Sequence, residues 1–428
     1  MSANGSTIFA VSSGAPPCAI AVIRISGPDA FAALNSLVGR EVAPRRPSLA
    51  KLFGKNGDLL DEALVLKFPG PGSATGEDCV ELHCHGGRAV VAAVCAALGS
   101  LDGLRPAEEG EFTRRAFANG RIDLAAAEGL ADLLEAETEL QRAAALTNLG
   151  GALSARVEAW RDEALRLSAQ VEAALDFSDE GDVDDLPEGF TWNVDSLMAE
   201  MREFLERPRT EKLKEGFRVV LAGPPNSGKS TLFNTLIESE AAITSPIAGT
   251  TRDVIERSVA ISGVPFTFVD TAGLREHGAE EIEAIGIARA HAEVDRADLV
   301  LWLGEEGTGP KGAWEIAARS DEADRIKKAR PRHVVSAVTG DGMADFKADL
   351  VAHARQSMPR PGEATLNRRQ YARLEEAFEA LETAKSRSDL LIVGEELRRV
   401  RLAFDRLVGR ATTEDMLDAL FGRFCIGK

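Results

Sequence analysis

Eight consecutive residues, Gly223-Pro-Pro-Asn-Ser-Gly-Lys-Ser230, have the types and spacing of a phosphate-binding loop, G-x-x-x-x-G-K-[ST]. In such a loop the backbone N–H groups, here of Asn226, Ser227, Gly228 and the helix start at Thr231, surround phosphate oxygens. Lys229 reaches the β- and γ-oxygens, and Ser230 binds Mg²⁺. Further along, Gly249-Thr-Thr-Arg252 offers Thr251 as a switch threonine that completes Mg²⁺ coordination. Asp270-Thr-Ala-Gly273, with Thr271 and Ala272 between its ends, offers a carboxylate for the metal's water and a Gly273 N–H for the γ-phosphate. Ser336-Ala337 has the look of a loop that contacts guanine O6. Each motif is short and weak alone; their order and spacing point to a GTPase.

Two departures qualify that pattern. Leu274 follows Gly273 where many GTPases place a glutamine that orients the attacking water, and an aliphatic side chain has no group for that task. The guanine-reading Asn-Lys-x-Asp is also missing. Its nearest counterpart is Ala318-Arg-Ser-Asp321, in which Asp321 can accept from guanine N1 and N2. The same four residues also read as a surface helix that happens to contain Asp, so an ATPase stays open at this point.

The elements needed to position these residues can be read from pattern. Phe217 to Ala222 forms a short apolar β run just before the loop, and strand and helix alternate after it in the α/β manner. In the first section, Ala19 to Ile25 and Ala63 to Phe68 read as strands, and Arg88 to Leu98 as a helix. From Leu124 to about Ala174 apolar residues recur at helical spacing without proline. An acidic loop, Ser178 to Gly189, follows, and then more helix to about Lys214. Helical patterns return around Tyr371 to Lys385, Gly394 to Val408 and Thr413 to Phe421. Helical segments flanking an α/β section suggest one helical domain interrupted by an insertion. The expected domains are 1–121, 122–215 (helical, first part), 216–355 (nucleotide-binding) and 356–428 (helical, second part).

The chain has 428 residues, 50 Lys+Arg against 68 Asp+Glu, and a net charge of −18. That length allows two or three domains at about 150 residues each. The acidity excludes a simple basic nucleic-acid coat protein. By section the net charge is 0 over 1–121, −14 over 122–215, −5 over 216–355 and +1 over 356–428. Hence a local nucleic-acid site remains open, with Arg398, Arg399, Arg401, Arg406 and Arg410 either a solvated helix face or partners of the acidic segment. No apolar run approaches the ~20 residues that span a bilayer, and no signal peptide is visible. Five cysteines without framework spacing fit a cytoplasmic enzyme. Cys79, His83, Cys84 and His85 invite a metal reading, but strand alternation would split them between two faces.

Several further motifs carry a family resemblance over nearly the whole chain. These are Arg24-Ile-Ser-Gly27, Thr75-Gly-Glu-Asp78 with Glu81 and His85-Gly-Gly87, Gly110-Glu-Phe-Thr-Arg114, Asn119-Gly-Arg-Ile-Asp-Leu124 and the ending Phe424-Cys-Ile-Gly-Lys428. With the nucleotide motifs, they make the sequence resemble the tRNA-modification GTPases of the MnmE/TrmE family, which act on the wobble uridine. The resemblance implies a multidomain α/β plus α fold: an N-terminal α+β domain similar to folate-binding domains, a helical domain from two chain segments, and an inserted Ras-like P-loop GTPase domain. It implies a homodimer through the N-terminal domains, and a flavin-dependent partner that carries FAD and completes a heterotetramer acting on tRNA.

The resemblance also assigns residues. Arg24, Glu81, Arg121 and Lys428 match contacts to a tetrahydrofolate derivative (5-formyl- or 5,10-methylene-tetrahydrofolate). Arg121 stands where lysine is also found, and the loop Gly14-Ala-Pro-Pro-Cys-Ala19 is stiffer than the family pattern. Asn226, Ser245, Ile247 and Thr250 match a K⁺ site beside the phosphates, able to supply the charge an arginine finger provides elsewhere. Glu283 matches a glutamate that orients the hydrolytic water; by itself, near Glu280 and Glu281, it reads as part of a solvated face. Cys425, by residue type a packing cysteine, becomes a candidate functional residue beside Glu283 and Lys229. The alternative is a ribosome-assembly GTPase switch, which expects an RNA-binding module such as a KH domain; the C-terminal segment has no GXXG loop.

Overall fold

The computed structural model describes residues 5–176, 186–238, 241–242, 255–270, 291–411 and 413–428. The chain forms two compact units, one of residues 1–131 with 402–428, the other of residues 132–401.

The first unit is α+β. Its strands are β1 (Thr7–Val11), β2 (Ile20–Ser26), β3 (Ser48–Phe53), β4 (Leu59–Phe68), β5 (Cys79–His85) and β6 (Leu104–Pro106). They make one sheet in the order β3-β4-β5-β2-β1-β6, antiparallel except where β6 lies parallel to β1. Helices Ala30–Val38 and Arg88–Gly99 cover one face. There Ile23, Ile25, Val80, Leu82 and Cys84 meet Leu34, Leu37, Val94 and Leu98 in a common core. Each such side chain stabilises the unit by roughly 1.5–3 kcal/mol. Alternation along β5 puts Val80, Leu82 and Cys84 in that core, with His83 half-buried and His85 exposed on the other side. Burial, then the nearby Asp61 charge and Cys95, push the Cys84 thiol up to about 12. The chain end belongs to this unit: Phe421 and Phe424 pack with Ala127 and Ala131.

The second unit holds a seven-stranded sheet: β7 (Phe217–Ala222), β8 (Ala241–Ala242), β9 (Ile255–Ile261), β10 (Val264–Asp270), β11 (Leu299–Trp302), β12 (Trp314–Ala317) and β13 (His333–Val334). The order is β13-β12-β11-β7-β10-β9-β8. β7 pairs in parallel with β10 and β11, and β12 with both β11 and β13, while β9 turns back antiparallel on β10. An apolar strand parallel to both neighbours must be buried on both faces, and Val219, Val220 and Leu221 are fully buried. With a P-loop at the end of the central strand and one antiparallel hairpin on the side away from β11, this is a Ras-like P-loop GTPase sheet.

Helices stand on both sides of the sheet's segment in the chain, the first of them, Leu124–Glu135, beginning within the first unit. Leu124 to Ala174 is three helices, Leu124–Glu135, Glu139–Leu149 and Ala152–Asp176, where apolar periodicity suggested one run. Thr138 starts the second with a capping box: its Oγ1 accepts from Gln141 N (3.3 Å) and its own N–H donates to Gln141 Oε1 (2.9 Å). Gly150 and Gly151 end it, with Gly151 at φ +80°. The helical pattern to Lys214 likewise divides into Phe190–Glu206 and Thr210–Glu215 around Arg207-Pro208. Past the sheet, helix Arg368–Ser386 returns to Phe190–Glu206, with Lys385 against Asp195 (2.5 Å) and the Arg202 guanidinium over the Phe378 ring.

The two ends of the inserted segment are tied together. Thr210 N donates to Leu366 O (3.0 Å), and the Thr210 and Thr365 hydroxyls lie 2.8 Å apart. Asn148 closes the knot, receiving Thr365 N and donating Nδ2 to Thr365 O, both at 3.2 Å. All three side chains are buried. Replacing Asn148 by Ala orphans the Thr365 amide and is expected to cost about 1–3 kcal/mol, read as a lowered midpoint in chemical denaturation.

Candidate functional site

The P-loop begins where β7 ends. Gly223 has φ +152°, and a Cβ there would stand 3.1 Å from Gly304 N and Leu303 C, so the turn toward the phosphate side requires glycine. Asn226 is held left-handed (φ +60°) and Gly228 at φ +94°, after which helix Lys229–Glu238 starts. The result is a helix N-terminus facing a cavity of about 660 Å³. Gly223, Asn226, Gly228, Lys229, Ser230 and Thr231 line it on one side, and Arg319, Asp321 and Ala337 on the other.

The side chains suit an anion and a hard cation. Among the described residues Ser227 Oγ is buried with no protein partner, and Lys229 Nζ donates to Gly223 O (3.0 Å) and Pro224 O (2.7 Å). A phosphate oxygen could accept from either group. Ser230 Oγ donates to Asp270 Oδ2 at 2.8 Å, where β10 delivers a carboxylate buried to 2% exposure. An oxygen pair of this kind fits Mg²⁺, whose bound waters a carboxylate can hold.

The base side is built from two more strand ends. β12 stops at Ala317, and Ala318–Asp321 form the loop beyond it, not a surface helix. Val335 N donates to Ala317 O and Ser320 N to Val335 O, so this loop and Ser336-Ala337 are fixed together. Ser336 is fully buried, and its hydrogen bond to Asp321 holds that carboxyl below its ordinary range, ready to accept. One tie escaped sequence reasoning: Arg319, at φ +57°, donates Nη1 to Asn226 O (2.9 Å) and joins the base side to the P-loop. They stand 93 positions apart in the chain, and no local signal marks this pair.

Ser245, Ile247, Thr250, Thr251, Thr271, Ala272, Gly273 and Glu283 lie outside the described residues.

In the first unit, β2 and β5 bring Arg24 opposite Glu81. Arg24 Nη2 and Nε donate to Glu81 Oε1 at 2.9 and 3.1 Å, and the guanidinium lies 5.8 Å from the Phe112 ring centroid. Glu81 Oε2 is 3.4 Å from His83 Nε2. A half-buried carboxylate beside a guanidinium fits a flat heterocycle with amide-like donors and acceptors, as in a pterin. Arg121 sits in the turn after helix Glu111–Ala118, its N–H on Ala116 O (2.8 Å). The C-terminal tail runs beside β1: Ile426 bridges to Glu109, and Ser12 Oγ donates to Gly427 O (2.7 Å), which places Lys428 near the end of that strand. Cys425 is exposed just past buried Phe424, so it is not a packing residue. The stiff loop before β2 closes on Gly86, where a Cβ would come within 2.2 Å of Cys18 O.

The model of the GTP-binding protein TrmE N-terminus matches residues 7–121, and that of the MnmE helical domain matches residues 124–425. A tRNA modification GTPase MnmE of Erythrobacter litoralis is 61% identical over 422 residues, covering 99% of this chain and all of that one. The protein of that name from Novosphingobium aromaticivorans is 61% identical over 434 residues, covering 99% of each chain. Among solved structures, the G domain of the T. maritima FeoB iron transporter matches 32% of this chain at 25% identity with a TM-score of 0.24.

Substituting Asp321→Asn is expected to weaken GTP binding roughly tenfold or more, because a charged acceptor toward the base is lost, and to leave ATP binding unchanged. Titration with fluorescent analogues of both nucleotides reads this; equal losses for the two would remove Asp321 from base reading.

Proposed function

The chain belongs to the tRNA modification GTPase MnmE family and is a GTP hydrolase, and from that premise we propose that its hydrolysis cycle drives modification of the wobble uridine of tRNA at C5. The product is a carboxymethylaminomethyl or aminomethyl group, made together with a flavin-dependent partner in a heterotetramer. The observation that carries the nucleotide half is the Ser230–Asp270 pair beside Lys229, facing a base loop that ends in Asp321. The ribosome-assembly alternative leaves the Arg24–Glu81 face without a role.

In this reading Lys229 would bind the β/γ oxygens, and Ser230, Thr251 and Asp270 would hold Mg²⁺, directly or through its water, to supply positive charge beside the phosphates. Thr271, Ala272 and Gly273 follow the γ-phosphate, and Glu283 orients the water in the place Leu274 cannot fill. Asn226, Ser245, Ile247 and Thr250 would hold K⁺, which would supply positive charge beside the phosphates. Asp321, Ser336 and Ala337 read guanine.

A tetrahydrofolate derivative supplies the one-carbon unit when bound. Arg24 and Glu81 would hold its pterin, with Arg121 and Lys428 as cationic contacts; the carbonyl oxygen of exposed Cys425 accepts from Lys428 N (3.2 Å). We propose 1–121 as the folate-binding and dimerisation domain, 216–355 as the G domain, and 122–215 with 356–428 as the helical domain. Exposed Leu49, Phe53, Leu59 and Leu64 on β3 and β4 supply apolar surface for the homodimer. Among the described residues no helix is long and apolar enough to cross a membrane.

Hydrolysis of GTP and ATP, measured side by side in K⁺ and in Na⁺, is expected to be faster with GTP and faster in K⁺. Equal rates would sink the mechanism. Asn226→Ala is expected to abolish the K⁺ stimulation, and retained stimulation would remove the cation site. Arg24→Ala is expected to abolish binding of 5-formyltetrahydrofolate in a direct titration; unchanged affinity would break the one-carbon assignment.

A further inference from the structure

Building on the folate reading, we propose that Arg115 is a positioning residue that locks the two halves of the folate face, the Arg24 strand and the Arg121 turn, onto the loop Thr75–Asp78. Arg115 is 4% exposed. Its Nη1 donates to both Glu77 oxygens (3.1 and 3.3 Å) and its Nη2 to Glu111 Oε1 (2.9 Å). Glu111 is itself held by Arg105 through two hydrogen bonds (2.8 and 2.6 Å) and by the Glu108 amide (3.0 Å). Burial would raise the Glu111 carboxyl, but Arg105, the Glu108 amide and Arg115 outweigh it and keep it below its ordinary value. Two guanidinium groups thus face two carboxylates, with Arg115 and Glu111 buried and Arg105 and Glu77 partly exposed.

Both ends of this chain of contacts reach the folate face. At one end Glu77 Oε2 accepts from Ser26 Oγ (2.8 Å), which lies 2.7 Å from Thr75 Oγ1. Ser26 is two residues along β2 from Arg24, on the same side of the sheet. At the other end, the helix that carries Arg115 runs directly into Asn119–Arg121. Asn119 donates Nδ2 to Thr75 O (2.8 Å), and Gly76 lies so near that a Cβ on it would stand 2.8 Å from Asn119 Cβ and 3.2 Å from Arg121 Cγ. One planar guanidinium thus fixes the distance between a strand and a turn that share no backbone hydrogen-bond ladder. Lysine, with a single ammonium on a flexible stem, lacks the fork to hold two carboxylates at once.

The test uses the full-length protein, with Arg115→Lys as the main variant and Glu77→Gln as a milder one that keeps the shape of the contact. Two quantities are read: the Kd for 5-formyltetrahydrofolate, and amide hydrogen exchange over residues 75–78 and 119–122. GTP hydrolysis and Tm serve as controls. Arg115→Lys is expected to speed exchange in both segments and to weaken folate binding roughly tenfold or more, with Glu77→Gln weaker in the same direction and GTP hydrolysis unchanged. Unchanged exchange in both variants overturns the proposal, as does wild-type folate affinity in Arg115→Lys accompanied only by a lower Tm. If the unaltered protein fails to bind the folate, the folate reading itself is lost, and the exchange data still decide whether Arg115 locks the loop to the turn.

Discussion

The knot of Asn148, Thr210 and Thr365 makes the inserted architecture possible. A helical layer that is interrupted by an α/β segment has to bring the two ends of the interruption together, or its helices cannot pack. Here the ends are not merely close. A backbone N–H, two hydroxyls and an amide share a buried set of bonds whose members would each be costly if orphaned. With that junction fixed, Arg368–Ser386 can return to Phe190–Glu206 as if the sheet had never intervened. Gln141 Nε2, donating to Leu213 O (2.9 Å), adds a second tie between the flanking helices and the entry to β7.

Beyond that junction, the nucleotide site is a product of strand ends. β7 sets down the P-loop, β10 delivers Asp270, and β12 and β13 set down the two base-side loops. Since these strands are parallel to one another, their carboxyl ends lie along one edge, where a ligand can meet a helix N-terminus and several loops at once. Arg319 then couples the loops: its bond to Asn226 O means that a shift at the base side is felt by the left-handed residue of the P-loop.

What was legible in the sequence follows from the range of each interaction. The P-loop, its flanking strand and its helix are local, and eight residues suffice to specify them. Asp321 could not be settled locally, because a helix and a strand-end loop are both compatible with Ala-Arg-Ser-Asp; the parallel pairing of β12 with β13 decides between them. The single helical run from Leu124 failed for a different reason. Apolar periodicity reports which face is buried, and it continues across the breaks, whereas Thr138 with Gln141 and the pair Gly150-Gly151 report where the backbone stops. Those stop signals were present and outweighed. The Arg115 cluster was illegible for want of range: Glu77 and Arg115 stand 38 positions apart, and nothing near either marks the other as its partner.

Charge is the last property that three dimensions reinterpret. The arginines of helix Leu390–Val408 invited two readings, a solvated face or a bridge to the acidic segment. Arg398 lies on Glu395 and Arg399 on Glu396, each three residues away on the same helix. Exposed pairs of this spacing contribute little to stability, but they do neutralise the face. A tRNA phosphate approaching there would have to compete with a carboxylate already in place, and the gain from releasing counterions would shrink accordingly. The slight positive balance of the C-terminal section therefore overstates its attraction for nucleic acid, and tRNA affinity in so acidic a chain calls for specific contacts rather than a broad basic face.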